Sequence, residues 1–219
     1  MTTFPPTLVK IHQKAMWPIM RAILRIFTRY EVRGAEHLKG LTGPLIIVAN
    51  HKSKYDGYFI GASVPFASAL FPIYFMTDSW YMERPILGAY LRSIGDFPVY
   101  EKVGLDRSLE IATKLLEEGR VVCIMPEGKL YRQDGIAEGK IGAAALALRT
   151  GAPILPMAIK GGHAFNELTF FLGRHSLRVA FGAPFALHPA TVEGNDQFAY
   201  YQKQTEIIME KIKALYDAL

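Results

Sequence analysis

The chain has 219 residues, a formal net charge of +5, a pI near 9.2 and hydrophobic side chains at 50% of positions. That length suits one domain, or one domain with a small appendage, and supports a substantial core, while a single cysteine, Cys123, excludes an intramolecular disulfide. The basic excess suits nucleic acid, a membrane surface or an anionic substrate, but no nucleic-acid-binding module accompanies it.

Residues 8 to 29 come first. Lys10, Lys14, Arg21, Arg25 and Arg29 fall within an arc of about 100° on one helix, and Leu8, Ile11, Ala15, Ile19, Ile23, Ile26 and Phe27 take most of the rest. The pattern predicts a basic amphipathic helix, or two helices bent at Pro18. A cation every few positions excludes a membrane-spanning helix, which needs roughly 20 mostly apolar residues. A signal peptide is excluded because no apolar core leads into a small-residue cleavage site. Two roles stay open. The helix covers a sheet and solvates its cations, or it lies at an interface with Arg and Lys on anionic headgroups and Trp17, Ile19, Met20 and Phe27 in the acyl boundary.

Strands and helices then alternate. Short strands are expected at 30–33 and 44–49, a short helix at 57–63, and a strand at 70–76 in which Pro72 argues for an edge or a strand start. A helix at 85–91, a strand at 97–100 and an amphipathic helix at 106–118 follow, the last with Leu109, Ala112, Leu115 and Leu116 inward and Gly119 as its stop. Val121 to Met125 is a strand, 142–149 an Ala- and Leu-rich buried helix ended by Gly151, and 154–159 and 177–181 are strands. A final helix opens at Asp196 or Gln197. The fold class is α/β: a mixed, largely parallel central sheet flanked by helices, with an N-terminal amphipathic helical segment. We divide the chain into that segment, residues 1–29, and an α/β domain, residues 30–219.

Two strand ends carry polar loops. The apolar run Leu45 to Ala49 leads into Asn50-His51-Lys52-Ser53-Lys54-Tyr55-Asp56, and Val121 to Met125 into Pro126-Glu127-Gly128. His51 lies on a loop and Asp56 at or near a helix N-cap. On a continuous helix a five-residue offset separates side chains by roughly 140°, so the two meet only if the backbone turns between them. If they meet, they form a minimal general-base dyad; otherwise they are a solvated histidine and a helix cap. In an open α/β sheet ligands bind beyond the carboxyl ends of the strands, which makes Glu127 and His51 neighbours along one cleft. Cys123, inside an apolar strand, reads as a buried small hydrophobe. None of the six histidines pairs with another at metal-ligand spacing, so no metal is expected.

These motifs together resemble the glycerophospholipid acyltransferase family, which includes the 1-acylglycerol-3-phosphate acyltransferases. Its Asn-His-x4-Asp block is matched from Asn50 to Asp56. Its Gly-x-Phe-Pro-Val-Asp-Arg block is met by Gly95-Asp96-Phe97-Pro98-Val99-Tyr100-Glu101, and its Phe-Pro-Glu-Gly-Thr block by Met125 to Lys129. Its apolar run ending in proline corresponds to Ala152 to Pro156. The order is the family's, and the likeness covers roughly residues 30 to 185. Glu101 stands where the family has its phosphate-binding arginine, with Lys102 next, and Lys129 replaces the third-block threonine. An acidic residue repels a phosphate, and Lys lacks the bidentate fork of Arg, so the departures bear on the acceptor and leave the transfer chemistry intact.

The resemblance implies transfer of a fatty acyl group from a thioester, acyl-CoA or an acyl-carrier protein, to the hydroxyl of a lysophospholipid. No cofactor beyond that co-substrate is expected. His51 is expected as general base and Asp56 as the residue that fixes its tautomer, with no covalent intermediate, since Ser53 reads as a turn hydroxyl. Substrate contacts are expected from Glu127, Lys129, Arg132 and Lys102, with Gly128 permitting close backbone approach. Lys140 is either an anion contact or a surface charge, and Asn50 either faces the oxyanion or fixes the loop. Residues between 74 and 87, such as Trp80, Tyr81 and Leu87, either line an acyl tunnel or pack in the core. A peripheral enzyme on the cytoplasmic face of a membrane is the expected setting; a thioester hydrolase or a non-catalytic lipid-binding protein are the alternatives.

Overall fold

The computed structural model describes residues 4–100, 102–162, 175–188 and 196–219. In chain order the elements are α1 (Pro6–Phe27), β1 (Thr28–Arg33), β2 (Leu45–Ala49), α2 (Asp56–Ser63), β3 (Ile73–Asp78), α3 (Ser79–Met82), α4 (Pro85–Ser93), β4 (Asp96–Val99), α5 (Leu105–Glu117), β5 (Val121–Ile124), α6 (Gly142–Thr150), β6 (Ile154–Lys160), β7 (His175–Phe181) and α7 (Asp196–Asp217). The seven strands form one sheet in the order β1-β7-β6-β2-β5-β3-β4. Every pairing is parallel except β6 with β7, so the mixed, largely parallel sheet expected from the sequence is present.

The buried strands are continuous apolar runs because both faces are covered. Alternate residues of β2 serve opposite layers. Leu45, Ile47 and Ala49 pack with α1 and α2, whereas Ile46 and Val48 pack with α5, α6 and α7. In α5 the inward set is Leu109, Ala112, Leu115 and Leu116, as its periodicity predicts. Gly119, just after the α5 cap residue Glu118, has φ +72° and ends the helix. Pro72 immediately precedes β3, an interior strand between β5 and β4; its missing N–H is tolerated because it marks the strand start. The four-residue α3 and a 3-10 turn at Ala35–Leu38 carry no period long enough to read from sequence.

Helix α1 runs unbroken through Pro18. It is more deeply embedded than its amphipathic pattern suggests. Trp17 is 3% exposed and packs at 5.0 Å between ring centroids on Phe71, so it is set into the core and does not project outward with Ile19. Gly61 of α2 makes room: a β-carbon there would lie 2.2 Å from the Trp17 ring. Gln13, fully buried, accepts the Ile73 N–H at 3.0 Å and donates to the carbonyls of Ile73 at 2.7 Å and Ile94 at 2.6 Å. These bonds stitch the helix to the start of β3 and the end of α4. An outward row of Leu8, Ile11, Ile19 and Ile26 stays exposed. No described helix is long and apolar enough to cross a membrane.

Candidate active site

The backbone does turn between His51 and Asp56. After β2 the chain leaves the sheet as a tight loop, and α2 starts at Asp56 behind a Tyr55 cap position that makes no side-chain cap bond. The Asp56 carboxylate folds back over the loop and receives hydrogen bonds from His51 Nδ1 at 2.9 Å, the Lys52 amide at 2.5 Å and the Ser53 amide at 2.9 Å, all on Oδ2. Its Oδ1 accepts the Ser53 hydroxyl at 2.9 Å. A carboxylate that gathers donors on both oxygens is acceptor-only, so His51 carries its proton on Nδ1 and its lone pair on Nε2. Among the described residues no hydrogen bond engages Nε2. The Asp56 side chain is fully buried and that of His51 is 24% exposed, which puts the basic nitrogen's ring, and not its orienter, within reach of a ligand. Ser53 spends its hydroxyl on Asp56 and is not aimed at His51.

Glu127 arrives from the end of β5, the neighbour of β2, and its Oε1 accepts the His51 amide at 3.1 Å. Burial raises its pKa, against the downward pull of the His51 amide and the Lys52 ammonium. At 2% exposure Glu127 holds the histidine loop in place and offers little surface to a substrate. Asn50 is likewise committed: its Nδ2 donates to the Ile159 carbonyl at 2.9 Å and its Oδ1 accepts the Ile159 N–H at 2.7 Å, tying the loop to the end of β6. Fully buried, it fixes the loop, with Oδ1 and one of the two Nδ2 hydrogens spent on Ile159. Both side chains thus brace the loop, Asn50 in the loop-fixing of its two expected roles, while the buried Glu127 Oε2 has no hydrogen-bond partner among the described residues.

The remaining expected contacts are surface groups. Lys129 and Arg132 are exposed on the loop that follows Glu127, and Tyr131, between them, donates its N–H to the His51 carbonyl at 2.9 Å. Gly128 has φ +64°, and a β-carbon there would strike the Lys140 side chain at 2.7 Å. Lys140 therefore lies across this turn, and its own N–H donates to the Pro126 carbonyl at 2.7 Å. Lys102 is exposed beyond β4 with φ +62°. Glu101 lies outside the described residues.

Sequence reasoning missed Lys52. This residue is 1% exposed, and its ammonium donates to the carbonyls of Tyr131, Gln133 and Gly135, at 3.3 Å for the first and 2.9 Å for the second. The rings of Tyr131 and Tyr216 flank it at 4.6 and 5.3 Å. Burial lowers its pKa, while Glu127, Asp134 and Asp56 oppose the shift. Nothing in a polar loop sequence distinguishes such a lysine from a solvated one.

Cys123 is buried in β5 and burial pushes its thiol pKa up, which leaves it inert as a nucleophile. Tyr74 and Phe75 point into opposite core layers and Met82 is buried, whereas Trp80, Tyr81 and Leu87 face outward at 55%, 42% and 37% exposure. These residues do not line one enclosed channel. Among the described residues no group of three or more His, Cys, Asp or Glu gathers in a way that holds a metal ion.

Residues 29–160 match the family model described as Acyltransferase. A Bacillus subtilis (strain 168) protein named 1-acyl-sn-glycerol-3-phosphate acyltransferase is 26% identical over 200 residues, 91% of this chain and 94% of its own length. A Pseudomonas aeruginosa protein of the same name is 27% identical over 195 residues, 88% and 70%. Among solved structures, the 1-acyl-sn-glycerophosphate (LPA) acyltransferase PlsC from Thermotoga maritima has a similar fold, with a TM-score of 0.64 at 20% identity, covering 93% of this chain and 80% of that one.

Proposed function

The chain belongs to the Acyltransferase family, and from that premise we propose that it moves a fatty acyl group from a thioester, acyl-CoA or an acyl-carrier protein, to the hydroxyl of a 1-acylglycerol-3-phosphate-like lysophospholipid, a step of phospholipid biosynthesis. The observation that carries this reading is the His51–Asp56 pair, with Nδ1 held at 2.9 Å and Nε2 unengaged among the described residues. His51 Nε2 takes the acceptor's hydroxyl proton as that oxygen attacks the thioester carbonyl carbon. Asp56 holds the tautomer and stabilises the imidazolium. The tetrahedral intermediate then collapses with cleavage of the C–S bond, and the imidazolium returns the proton to the departing thiolate. No covalent enzyme intermediate is needed.

Lys129, Arg132 and Lys102 are the cations we assign to the acceptor phosphate or to the phosphates of CoA; Lys140 steadies the turn at Gly128 or joins them. The helix α1, with four cations, no acid and an exposed apolar row, is the element we assign to a bilayer surface on the cytoplasmic face.

Thiol release from acyl-CoA, followed with and without a panel of lysolipids and with products identified by mass spectrometry, tests the reading. Acceptor-dependent release with formation of the diacyl product is expected, and is lost in His51→Ala. Release indifferent to every acceptor would make the protein a thioester hydrolase. Full turnover in His51→Ala would remove the dyad from the chemistry.

A further inference from the structure

A groove of ≈ 350 Å³ lies between α1 and the segment from Val64 to Phe71. Its walls combine the apolar surfaces of Trp17, Phe66 and Phe71 with the cations Lys14, Arg21 and Arg25, and no acidic residue lines it among the described residues. At 100° per residue the three cations fall within about 40° of one another on α1, so they form one row along the groove.

Two of them are held in place. The Lys14 ammonium sits 4.9 Å above the Phe66 ring and 5.9 Å from that of Phe71. Arg21 donates to the Ala62 and Val64 carbonyls, both at 2.5 Å, at the C-terminal end of α2, through Nε and one terminal nitrogen, and its other terminal nitrogen has no partner among the described residues. Capping α2 accounts for those two bonds. It accounts neither for Lys14 and Arg25 alongside nor for an apolar cleft open beneath three like charges. Burial above all, and Arg25 less, disfavour the charged form of Arg21, against the opposite pull of Tyr30, and an anion in the groove would relieve that stress.

The groove is also continuous with the exposed apolar row of α1, because Ile26 belongs to both. A ligand that fits has an anionic head for the cation row and an acyl chain for the aromatic floor. Resting on the reading that α1 meets a bilayer, we propose that this groove binds one anionic phospholipid of that bilayer, its phosphate on Lys14, Arg21 and Arg25 and its chain against Trp17, Phe66 and Phe71. The site is separate from the acyl-transfer centre: Val64 caps the C-terminal end of α2, whereas Asp56 opens it, a rise of about 12 Å along the helix. It is an allegiance site for lipid charge and takes no part in proton transfer.

Trp17 reports occupancy directly. The chain has two tryptophans, so Trp80→Phe leaves Trp17 as the sole tryptophan, excited selectively at the red edge where tyrosine does not absorb. That variant is titrated with dihexanoyl phosphatidylglycerol and, separately, dihexanoyl phosphatidylcholine, each below its micelle concentration, and with inorganic phosphate. A saturable Trp17 response to phosphatidylglycerol is expected, at least tenfold weaker with phosphatidylcholine, absent with phosphate, and weakened at least tenfold by Lys14→Gln with Arg25→Gln. Equal response to both lipids, the same response to phosphate alone, or binding unchanged in the double variant overturns the proposal. Flotation of the Trp80→Phe protein on phosphatidylglycerol vesicles separates the two readings. Flotation without any Trp17 response leaves α1 on the bilayer and removes the groove as a lipid site, and absence of both removes the bilayer reading as well.

Discussion

The Lys52 ammonium, one residue beyond His51, donates to the Gln133 carbonyl at 2.9 Å across 81 residues of sequence. Its backbone amide meanwhile donates to Asp56. One residue thus joins the dyad to the loop that presents Lys129 and Arg132.

Lys52→Met separates these two tasks, because it keeps the amide and removes the ammonium. The carbonyls of Tyr131, Gln133 and Gly135 lose their donor and the loop loosens, while His51 and Asp56 keep their contact. The acceptor KM is expected to rise roughly tenfold, the worth of one charge-assisted hydrogen bond at about 1.5 kcal/mol, with acceptor-independent thioester cleavage little changed. Steady-state kinetics with varied acceptor check this split; an unaltered acceptor KM would show that the loop needs no clasp.

Asp56→Asn places an NH2 group where His51, Lys52 and Ser53 all point donors. A carboxylate accepts them all, but an amide must turn a donor toward at least one. A fall in kcat of about 10² to 10⁴ is expected from loss of the tautomer lock, together with about 1–3 kcal/mol of lost stability from the mismatched donors. Urea unfolding alongside turnover separates the two costs. Near-wild-type kcat would remove Asp56 from the mechanism.

Gln13→Leu keeps the bulk of a buried side chain and removes three hydrogen bonds to Ile73 and Ile94. The stranded amide and carbonyls cost about 1–3 kcal/mol each where water cannot replace Gln13. A drop in Tm of several degrees is expected. Proteolysis in the segment between β1 and β2 should accelerate as α1 loosens from β3, and an unchanged digestion rate would mean that Trp17 alone seats the helix.

Asp96 opens β4 and is buried, accepting the Thr77 hydroxyl at 2.9 Å, and burial raises its pKa to about 7. Unfolded, the carboxyl titrates near 3.8. Between about pH 4 and 7 the native state therefore holds a proton that the unfolded chain has released, and stability falls as pH rises through that window. Asp96→Asn keeps the size, accepts from Thr77 through its carbonyl and cannot titrate. It is expected to be more stable than the parent at pH 8 and close to it below pH 4. Denaturant midpoints at several pH values test this, and parallel curves for the two proteins would mean that Asp96 stays ionised.

Much of the scaffold is readable from residue order. Leu45 to Ala49 and Val121 to Ile124 are apolar without alternation because helices cover both faces, and that same pattern put the two polar loops at neighbouring strand ends. Helix α1 shows where such reading stops. Periodicity located its cations, but a helix lodged between the sheet and its surroundings has more than one apolar arc. Only the fit of Trp17 against Gly61, and of Gln13 against Ile73, decides which arc faces inward. The same holds in the site: Asn50, Lys52 and Glu127 are polar residues on loops, and their burial follows from partners at Ile159, Gln133 and His51 that spacing alone does not reveal.

The edge strand β1, into which α1 runs, is paired with β7, with Thr28 beside His175 and Arg33 beside Ala180. On the ribosome these partners are separated by most of the message. At about 5–20 residues per second the first waits on the order of ten seconds for the second. Throughout that interval α1 precedes a strand with no sheet edge to join, and its row from Leu8 to Ile26 is on display before the catalytic half has been made. Helix α1 is therefore free to meet a surface, or a chaperone, before β7 arrives to pair with β1.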